Sequence, residues 1–428
     1  MGGTKVVVIG GGFAGLNVVQ SLSKTNLDIL LIDQKNHHLF QPLLYQVASA
    51  ALSPADIATP LREILSAQKN TSVIMGTAKK IEKTQRKVTL SDGSLITYDY
   101  LVVAPGASYS YFGRDEWKLL APGLKTIPDA LKIRENILLS FEKAERMKND
   151  QQAEKFLNFV IIGGGPTGVE MAGAIAEIAN RTLFKNFRHI KPEKSNIYLI
   201  EASSRLLPPY PEKLAIKAKK SLERMGVCVL TGNSVTHITP QGVRVGEKFI
   251  PAHNIIWAAG NQAAPVLKTL DVPLDRQGRV IVEPDLTIKD HADIFVIGDA
   301  ACVFDRSNKP LPAIAPTAIQ MGRYVSKLIK RQTPKEKRHP FRYFDKGSIA
   351  TIGTNKAVGY IGRMLISGFF AWIIWGFIHV FYLVSYRSRF TVMLNWLFHY
   401  LTGLRGARLI HSPLDQEAAT PDKGRDTT

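Results

Sequence analysis

Two stretches of the chain repeat one pattern of apolar and small residues. Lys5-Val6-Val7-Val8-Ile9 is a continuous apolar run ending in Gly10-Gly11-Gly12-Phe13-Ala14-Gly15. Phe159-Val160-Ile161-Ile162 leads in the same way into Gly163-Gly164-Gly165-Pro166-Thr167-Gly168. Such runs predict strands buried on both faces, as parallel strands covered by helices are. An apolar helical segment follows each loop, at 16–22 and 169–178. A further strand-like run follows each helix, at 27–32 and 196–200, and ends in an acid, Asp33 or Glu201. The pattern predicts an α/β fold with two βαβ units related by a diverged internal repeat. Ile294-Phe295-Val296-Ile297-Gly298-Asp299-Ala300 resumes the buried-strand pattern late, as expected if the second unit is inserted into the first. Between the copies, 129–156 is charged and helix-like, and 144–155 reads as a solvated helix or link.

The pattern changes toward the C-terminus. Residues 330–342 form a linker rich in Lys, Arg and Pro. Residues 364–386 contain no Asp, Glu, Lys or Arg, about 23 positions in a row, enough by length to span a bilayer. Phe390, Met393, Leu394, Leu397, Leu401 and Leu404 then make a helical stripe. A transmembrane span, a buried core or dimer helix, and a pair of helices lying in the membrane plane all fit. The Trp, Tyr and Arg content suits the interface best. His379, inside the apolar run, reads as a packing or dimer-contact residue. From 411 onward the tail is polar and expected to be disordered.

Composition adds three limits. The formal net charge of +19 points to an anionic partner, whether nucleic acid, membrane surface or substrate, without choosing among them. Cys228 and Cys302 are the only cysteines and lie far apart, so no disulfide scaffold, thiolate metal site or dithiol relay is expected. No metal site is expected at all. The first strand starts at Lys5, which leaves no room for a cleavable presequence.

The glycine loops carry the chemistry. Gly10 and Gly163 permit the tight turn out of the strand, Gly12 and Gly165 let backbone approach a pyrophosphate, and Gly15 and Gly168 let helix and strand pack closely. The helix N-terminus then offers free N–H groups to phosphate. Asp33 and Glu201 stand where an acid accepts from a ribose, which repels a 2′-phosphate and favours NADH over NADPH. Arg205 lies near enough to soften that preference.

With these residues the chain resembles the two-dinucleotide flavoproteins over roughly 5–321, and among them the type II NADH dehydrogenases (NADH:quinone oxidoreductases). The resemblance implies two Rossmann-like domains, one inserted in the other, plus a C-terminal helical membrane-association region. FAD would be held by 1–155 and 276–345 and NADH by 156–275, with membrane anchoring in 346–410 and a polar tail at 411–428. Tyr98 to Ala107, with Ala104 and Gly106, resembles the strand and turn that close over FAD; Ile255 to Gly260 is its counterpart for NADH. Ile297-Gly298-Asp299-Ala300 resembles the motif whose aspartate binds the ribityl chain; a helix N-cap is the alternative and compatible role for Asp299, and strand, Gly and Asp together favour flavin contact. Phe40 to Ala48 and Leu52 to Ala58 resemble segments near the flavin. They make Pro42 and Gln46 further candidates, against the alternative of an ordinary loop and helix start.

The resemblance gives Glu170 a part in positioning the nicotinamide or handling protons; a solvated first-turn acid is the alternative. Ala315-Pro316-Thr317-Ala318-Ile319-Gln320 matches the family's AQxAxQ motif at Ala318 and Gln320. Pro316 replaces its first glutamine and should leave the helix intact. The implied FAD contacts are Gly10, Gly12, Phe13, Ala14, Gly15, Asp33, Pro42, Gln46, Ala104, Gly106, Gly298, Asp299 and Ala318. The implied NADH contacts are Gly163, Gly165, Pro166, Thr167, Gly168, Glu170, Glu201 and Gly260, with Glu170 and Gln320 at the reacting centre.

The expected reaction passes hydride from NADH to FAD and two electrons on to a membrane quinone, without proton pumping. The expected setting is a homodimer lying peripherally on the cytoplasmic face of a bacterial inner membrane. The basic linker would face anionic lipid, and nucleic acid would not be a partner. A sulfide:quinone oxidoreductase would need paired redox cysteines. A regulatory NAD(H)-binding flavoprotein like apoptosis-inducing factor would not need rapid turnover with quinone.

Overall fold

The computed structural model describes residues 3–411. The tail expected to be polar and disordered lies, after His411, outside the described residues.

The first apolar run pairs at the centre of a six-stranded sheet. The order is Thr287–Ile288, His291–Val296, Tyr100–Val103, Lys5–Ile9, Asp28–Asp33 and Thr71–Met75. All neighbours are parallel except the first pair. Val6, Val7 and Val8 are fully buried, as their unbroken apolar pattern requires. The late run at 291–296 lies against 100–103, so the chain does return to its first sheet. The second repeat builds a separate four-stranded parallel sheet, ordered Val227–Thr231, Asn196–Glu201, Asn158–Ile162 and Asn254–Trp257. Each sheet has a three-stranded antiparallel meander inserted before one of its parallel strands, 78–97 before Tyr100–Val103 in one and 235–251 before Asn254–Trp257 in the other. The two passages between units, Ala107–Tyr109 and Asn261–Ala263, pair with each other.

The polar segment between the repeats forms two helices. Ile127–Glu145 opens on a capping box between Thr126 and Asp129, and Asp150–Leu157 is capped by Asn149. Ala315–Lys330 tolerates Pro316 in its first turn, where the missing N–H has no helical partner to lose.

The C-terminal region corrects one expectation. The apolar run at 364–386 is not one helix. Met364–Gly368 is an edge strand of a three-stranded antiparallel sheet with Ser348–Thr351 and Ala357–Ile361. Gly362 (φ 56°) turns the chain into that strand, and Gly368 (φ 83°) turns it out again. The helix that remains is Phe369–Tyr382, 14 residues or about 21 Å, shorter than a ~30 Å hydrocarbon core. No described helix is long and apolar enough to cross a membrane. Tyr386–Thr402 follows, ended by Gly403 in the left-handed conformation. This terminal helix buries Ser388, Val392 and Trp396. The stripe read from the sequence faces the other way: Phe390, Leu394, Leu397 and Leu401 are exposed, Leu401 by 77%.

Candidate functional site

The two glycine loops are built alike. Gly10 (φ 99°) and Gly163 (φ 111°) take a conformation that L side chains avoid. A Cβ on Gly15 would stand 1.9 Å from the Gly10 carbonyl oxygen, and one on Gly168 would stand 1.8 Å from that of Gly163. Around Gly12 and Gly165, by contrast, nothing lies within 4 Å of an added Cβ. That open space above a helix N-terminus is the cradle a pyrophosphate needs.

The acids at the strand ends are equally matched. Asp33 accepts from Gly11 N at 2.5 Å and Lys35 N at 2.7 Å. Glu201 accepts from Gly164 N at 2.6 Å and Ser203 N at 2.7 Å. Both carboxylates are thereby tied to their loops, with further lone pairs for a ribose. The Arg205 guanidinium donates to the Pro208 carbonyl at 3.0 Å.

The first loop faces a set of groups drawn from distant segments. Phe13 meets the rings of His38 and Phe40 edge-on. Burial pushes the His38 pKa down, which keeps the ring neutral, and its Nδ1 lies 2.9 Å from the Gly11 carbonyl. Ala104 packs its backbone against Gly10, while Gly106 (φ 76°) opens onto free space. Gly298 (φ 69°) lies between Ala14 and Ala318: a Cβ added to it would stand 3.2 Å and 3.7 Å from theirs. Asp299 follows in a short turn, Gly298–Ala300. Lys125 is a member of this set that the sequence did not disclose. Burial lowers its ammonium pKa, the Asp299 carboxylate opposes that shift, and the ammonium lies 5.3 Å from the Tyr109 ring centroid. Pro42 sits in the short helix Gln41–Leu43, whose Gln41 side chain donates to the Lys125 carbonyl.

The second loop's helix, Pro166–Glu177, carries Glu170 toward the first unit. Burial pushes the Glu170 carboxyl up to about 8, and a Thr351 backbone hydrogen bond only partly opposes this. Glu170 shares a narrow cavity with Tyr45, Gln46, Trp372, Trp375 and Tyr400. It therefore stands where both glycine-loop units and the C-terminal helices meet. Thr167, near the start of the same helix, hydrogen-bonds Tyr109. Gly260 (φ 68°) closes the second unit's last parallel strand under the ring of Phe112.

Two predicted residues have their side chains engaged within the protein. Gln46 is buried; its amide donates to the Tyr45 hydroxyl at 3.0 Å and accepts from Trp396 Nε1 at 2.7 Å. Gln320 donates to the Phe344 carbonyl and accepts from the Phe344 N–H, both at 2.9 Å. Its amide thus mimics a strand partner for the linker. One linker cation is also not where lipid would find it: Arg338 is buried against Asp285 at 3.0 Å.

A second set escaped the sequence reading. Arg405 is buried and donates to Glu177 at 3.0 Å and to the Ser49 carbonyl at 2.6 Å. Glu177 also accepts from the N–H and hydroxyl of Thr354. Asn395 donates to Asp56 at 3.2 Å, and the Tyr45 and Thr351 hydroxyls lie 3.0 Å apart. These bonds seat the terminal helix on both units. His379 packs on Trp375, ring centroids 4.4 Å apart, and burial pushes its pKa down to about 4. Cys228 and Cys302 are both free and lie in different sheets.

Comparison with known proteins agrees with this construction. Residues 4–322 match the family described as pyridine nucleotide-disulphide oxidoreductase, and 346–405 match the NDH2 C-terminal domain. The chain is 42% identical to the type II NADH:quinone oxidoreductase NdhA of Mycobacterium tuberculosis, over 97% of this chain and 93% of that one. It is 28% identical to the mitochondrial internal alternative NAD(P)H-ubiquinone oxidoreductase A1 of Arabidopsis thaliana, over 93% and 84%. NDH2 of Plasmodium falciparum, solved with NADH, superposes with a TM-score of 0.87 at 20% identity, over 94% of this chain and 99% of that one. The sulfide:quinone oxidoreductase of Aquifex aeolicus shares the fold, with a TM-score of 0.73 at 19% identity over 90% and 92%; the fold alone does not supply the cysteine pair that reading needs. On the strength of the two family matches and the near full-length identity, the chain belongs to the type II NADH:quinone oxidoreductases of the pyridine nucleotide-disulphide oxidoreductase family.

Proposed function

We propose that this chain oxidises NADH at its second glycine loop and delivers two electrons to a quinone at its C-terminal helices, with FAD held at the first loop. The carrying observation is Glu170: it sits on the NADH-loop helix yet lines the cavity formed by Tyr45, Gln46 and the C-terminal helices. The open cradle at Gly12, the ribose acid Asp33, and Asp299 at its Gly298 turn fit an FAD. Bound there, FAD supplies the two-electron step between a hydride donor and a quinone.

The chain's own residues orient and exclude. Gly165 and the Pro166–Glu177 helix N-terminus receive the NADH pyrophosphate, and Glu201 accepts from the adenosine ribose. Glu170 holds a proton at neutral pH, since burial raises its carboxyl, and so can donate a hydrogen bond or a proton at the junction. Lys125 places a positive charge opposite Asp299, inside the first site. Domain limits near 155, 275 and 345 are part of this reading, supported by the strands of the two main sheets falling on separate sides of them.

The outward apolar faces of the last two helices support a peripheral membrane contact. Phe370, Phe377, Phe381, Leu397 and Leu401 are each more than half exposed, and clustered exposed apolar side chains of this kind mark a surface that meets lipid or another protein. Lipid would cover it, with the enzyme lying on the cytoplasmic face of a bacterial membrane as a homodimer. These helices contain no Asp or Glu, so the reading includes no proton pumping. Steady-state NADH oxidation with and without a short-chain quinone tests the proposal: quinone should raise turnover severalfold or more. Turnover indifferent to quinone would refute it and favour a regulatory flavoprotein.

A further inference from the structure

The helix Ala315–Lys330 and the segment 339–342 line a groove of about 560 Å³ that shares no lining residue with the Glu170 cavity. Gln320, Arg323, Tyr324 and Lys327 line one wall. Their spacing of i, i+3, i+4 and i+7 puts them on one helix face. His339, Phe341 and Arg342 line the other wall. The frame is held by specific bonds: the Tyr324 hydroxyl donates to the His339 carbonyl at 2.5 Å, and Phe341 N donates to the Pro284 carbonyl at 2.7 Å. The rings of Tyr324 and Phe341 meet edge-on, 5.5 Å apart. Arg338, salt-bridged to Asp285, pins the segment just before it.

The groove's charge is unbalanced. Arg323, Lys327 and Arg342 are exposed, and none of the three makes an ion pair with a carboxylate among the described residues. Three such cations around an aromatic floor suit a phosphate, which arginine forks grip bidentately. The groove also adjoins the apolar surface. Two residues past Arg342, Phe344 is 70% exposed and is held by Gln320. Lys346 then bonds the Tyr382 hydroxyl at 3.1 Å, at the end of the exposed aromatic helix. A phosphate in the groove would thus sit beside acyl chains covering Phe344, Phe381 and Tyr386.

We propose that this groove is a binding site for the phosphodiester headgroup of an anionic phospholipid. It would seat the enzyme at a fixed depth and hold the linker against Gln320. This inference rests on the reading that the C-terminal helices meet a bilayer, and the test separates the two.

The full-length protein is mixed with vesicles of phosphatidylcholine alone or with added phosphatidylglycerol, and its bound fraction is measured at moderate salt. The groove variant R323Q/K327Q/R342Q is compared with the linker variant K330Q/K335Q/K337Q, which removes equal charge outside the groove. The wild type should bind neutral vesicles and bind anionic ones more tightly. The groove variant should lose that gain by roughly 100-fold, about fivefold per cation, and the linker variant by far less. Equal losses in the two variants would overturn the site in favour of diffuse attraction. Saturable binding of inorganic phosphate in the groove without any preference for anionic vesicles would overturn the lipid as its ligand. Failure of the wild type to bind neutral vesicles would strike the membrane reading instead, and the headgroup site with it. Circular dichroism of the folded variants excludes loss of structure as the cause.

Discussion

Replacing Arg405 with leucine should undock the C-terminal helices while leaving both glycine-loop units folded. In the structure the guanidinium binds Glu177 and the Ser49 carbonyl, and its side chain is 2% exposed. Burial pushes the Arg405 pKa down, and the facing Glu177 carboxylate opposes that shift. Without Arg405, Glu177 keeps its donors from Thr354 but has no counter-charge. Breaking one side of such a buried pair costs about 3–5 kcal/mol, against a typical whole-protein stability of about 5–15 kcal/mol. The loss falls on the contacts of the terminal segment, so local release should precede global unfolding. Three of the five tryptophans, Trp372, Trp375 and Trp396, lie on these helices, and Trp375 stacks on Trp396 at 5.2 Å. Urea titration followed by tryptophan fluorescence should therefore show an early transition in R405L that the wild type lacks. The double variant E177Q/R405L should be less destabilised than the sum of the single variants, by about 1–3 kcal/mol. Glu170 lies two turns before Glu177 on the same helix, so quinone reduction should fall more than NADH oxidation by a small soluble acceptor. A cost below about 1 kcal/mol, or simple additivity in the cycle, would refute the argument.

Other outcomes follow from the same geometry. G15A should purify without flavin, whereas G168A should keep flavin but lose its reduction by NADH, because each Cβ meets a carbonyl under 2 Å away in one loop only; absorbance spectra of the two proteins decide. E201Q should lower KM for NADPH relative to NADH by about tenfold, the scale of one charge-assisted contact; an unchanged ratio would show that Glu201 does not read the ribose. Glu170 has its pKa raised in the folded state, so its folded form binds more protons than the unfolded form between the ordinary glutamate value and about 8. Stability should fall as pH rises through that window, and E170Q should flatten the fall in pH-dependent melts. The wild-type rate should also show an ionisation near pH 8 that E170Q lacks.

The repeat was legible because both its signals are local. A strand buried on both faces must be apolar at every position, and a pyrophosphate loop must spare side chains at fixed spacings. The apolar run at 364–386 misled on its length because charge-free residues fit an edge strand and a helix equally well. Gly362 and Gly368, left-handed turns at both ends of Met364–Gly368, were the signal for the break. The terminal helix's stripe was correctly found, but periodicity does not say which face is buried. That was decided by Trp396 and Asn395 bonding to Gln46 and Asp56, more than 330 residues away in sequence. Lys125, Thr351 and Glu177 have no sequence signature for the same reason: each matters through a partner on another segment.

In the proposed reaction two electrons pass from NADH through a bound flavin to a quinone. The most direct measurement is the visible spectrum of the purified protein under anaerobic conditions, titrated first with NADH and then with a quinone. The protein should show a flavin spectrum that NADH bleaches at about one equivalent and that quinone restores within the turnover time. A protein without flavin absorbance, or one that NADH bleaches and quinone leaves bleached, would contradict it.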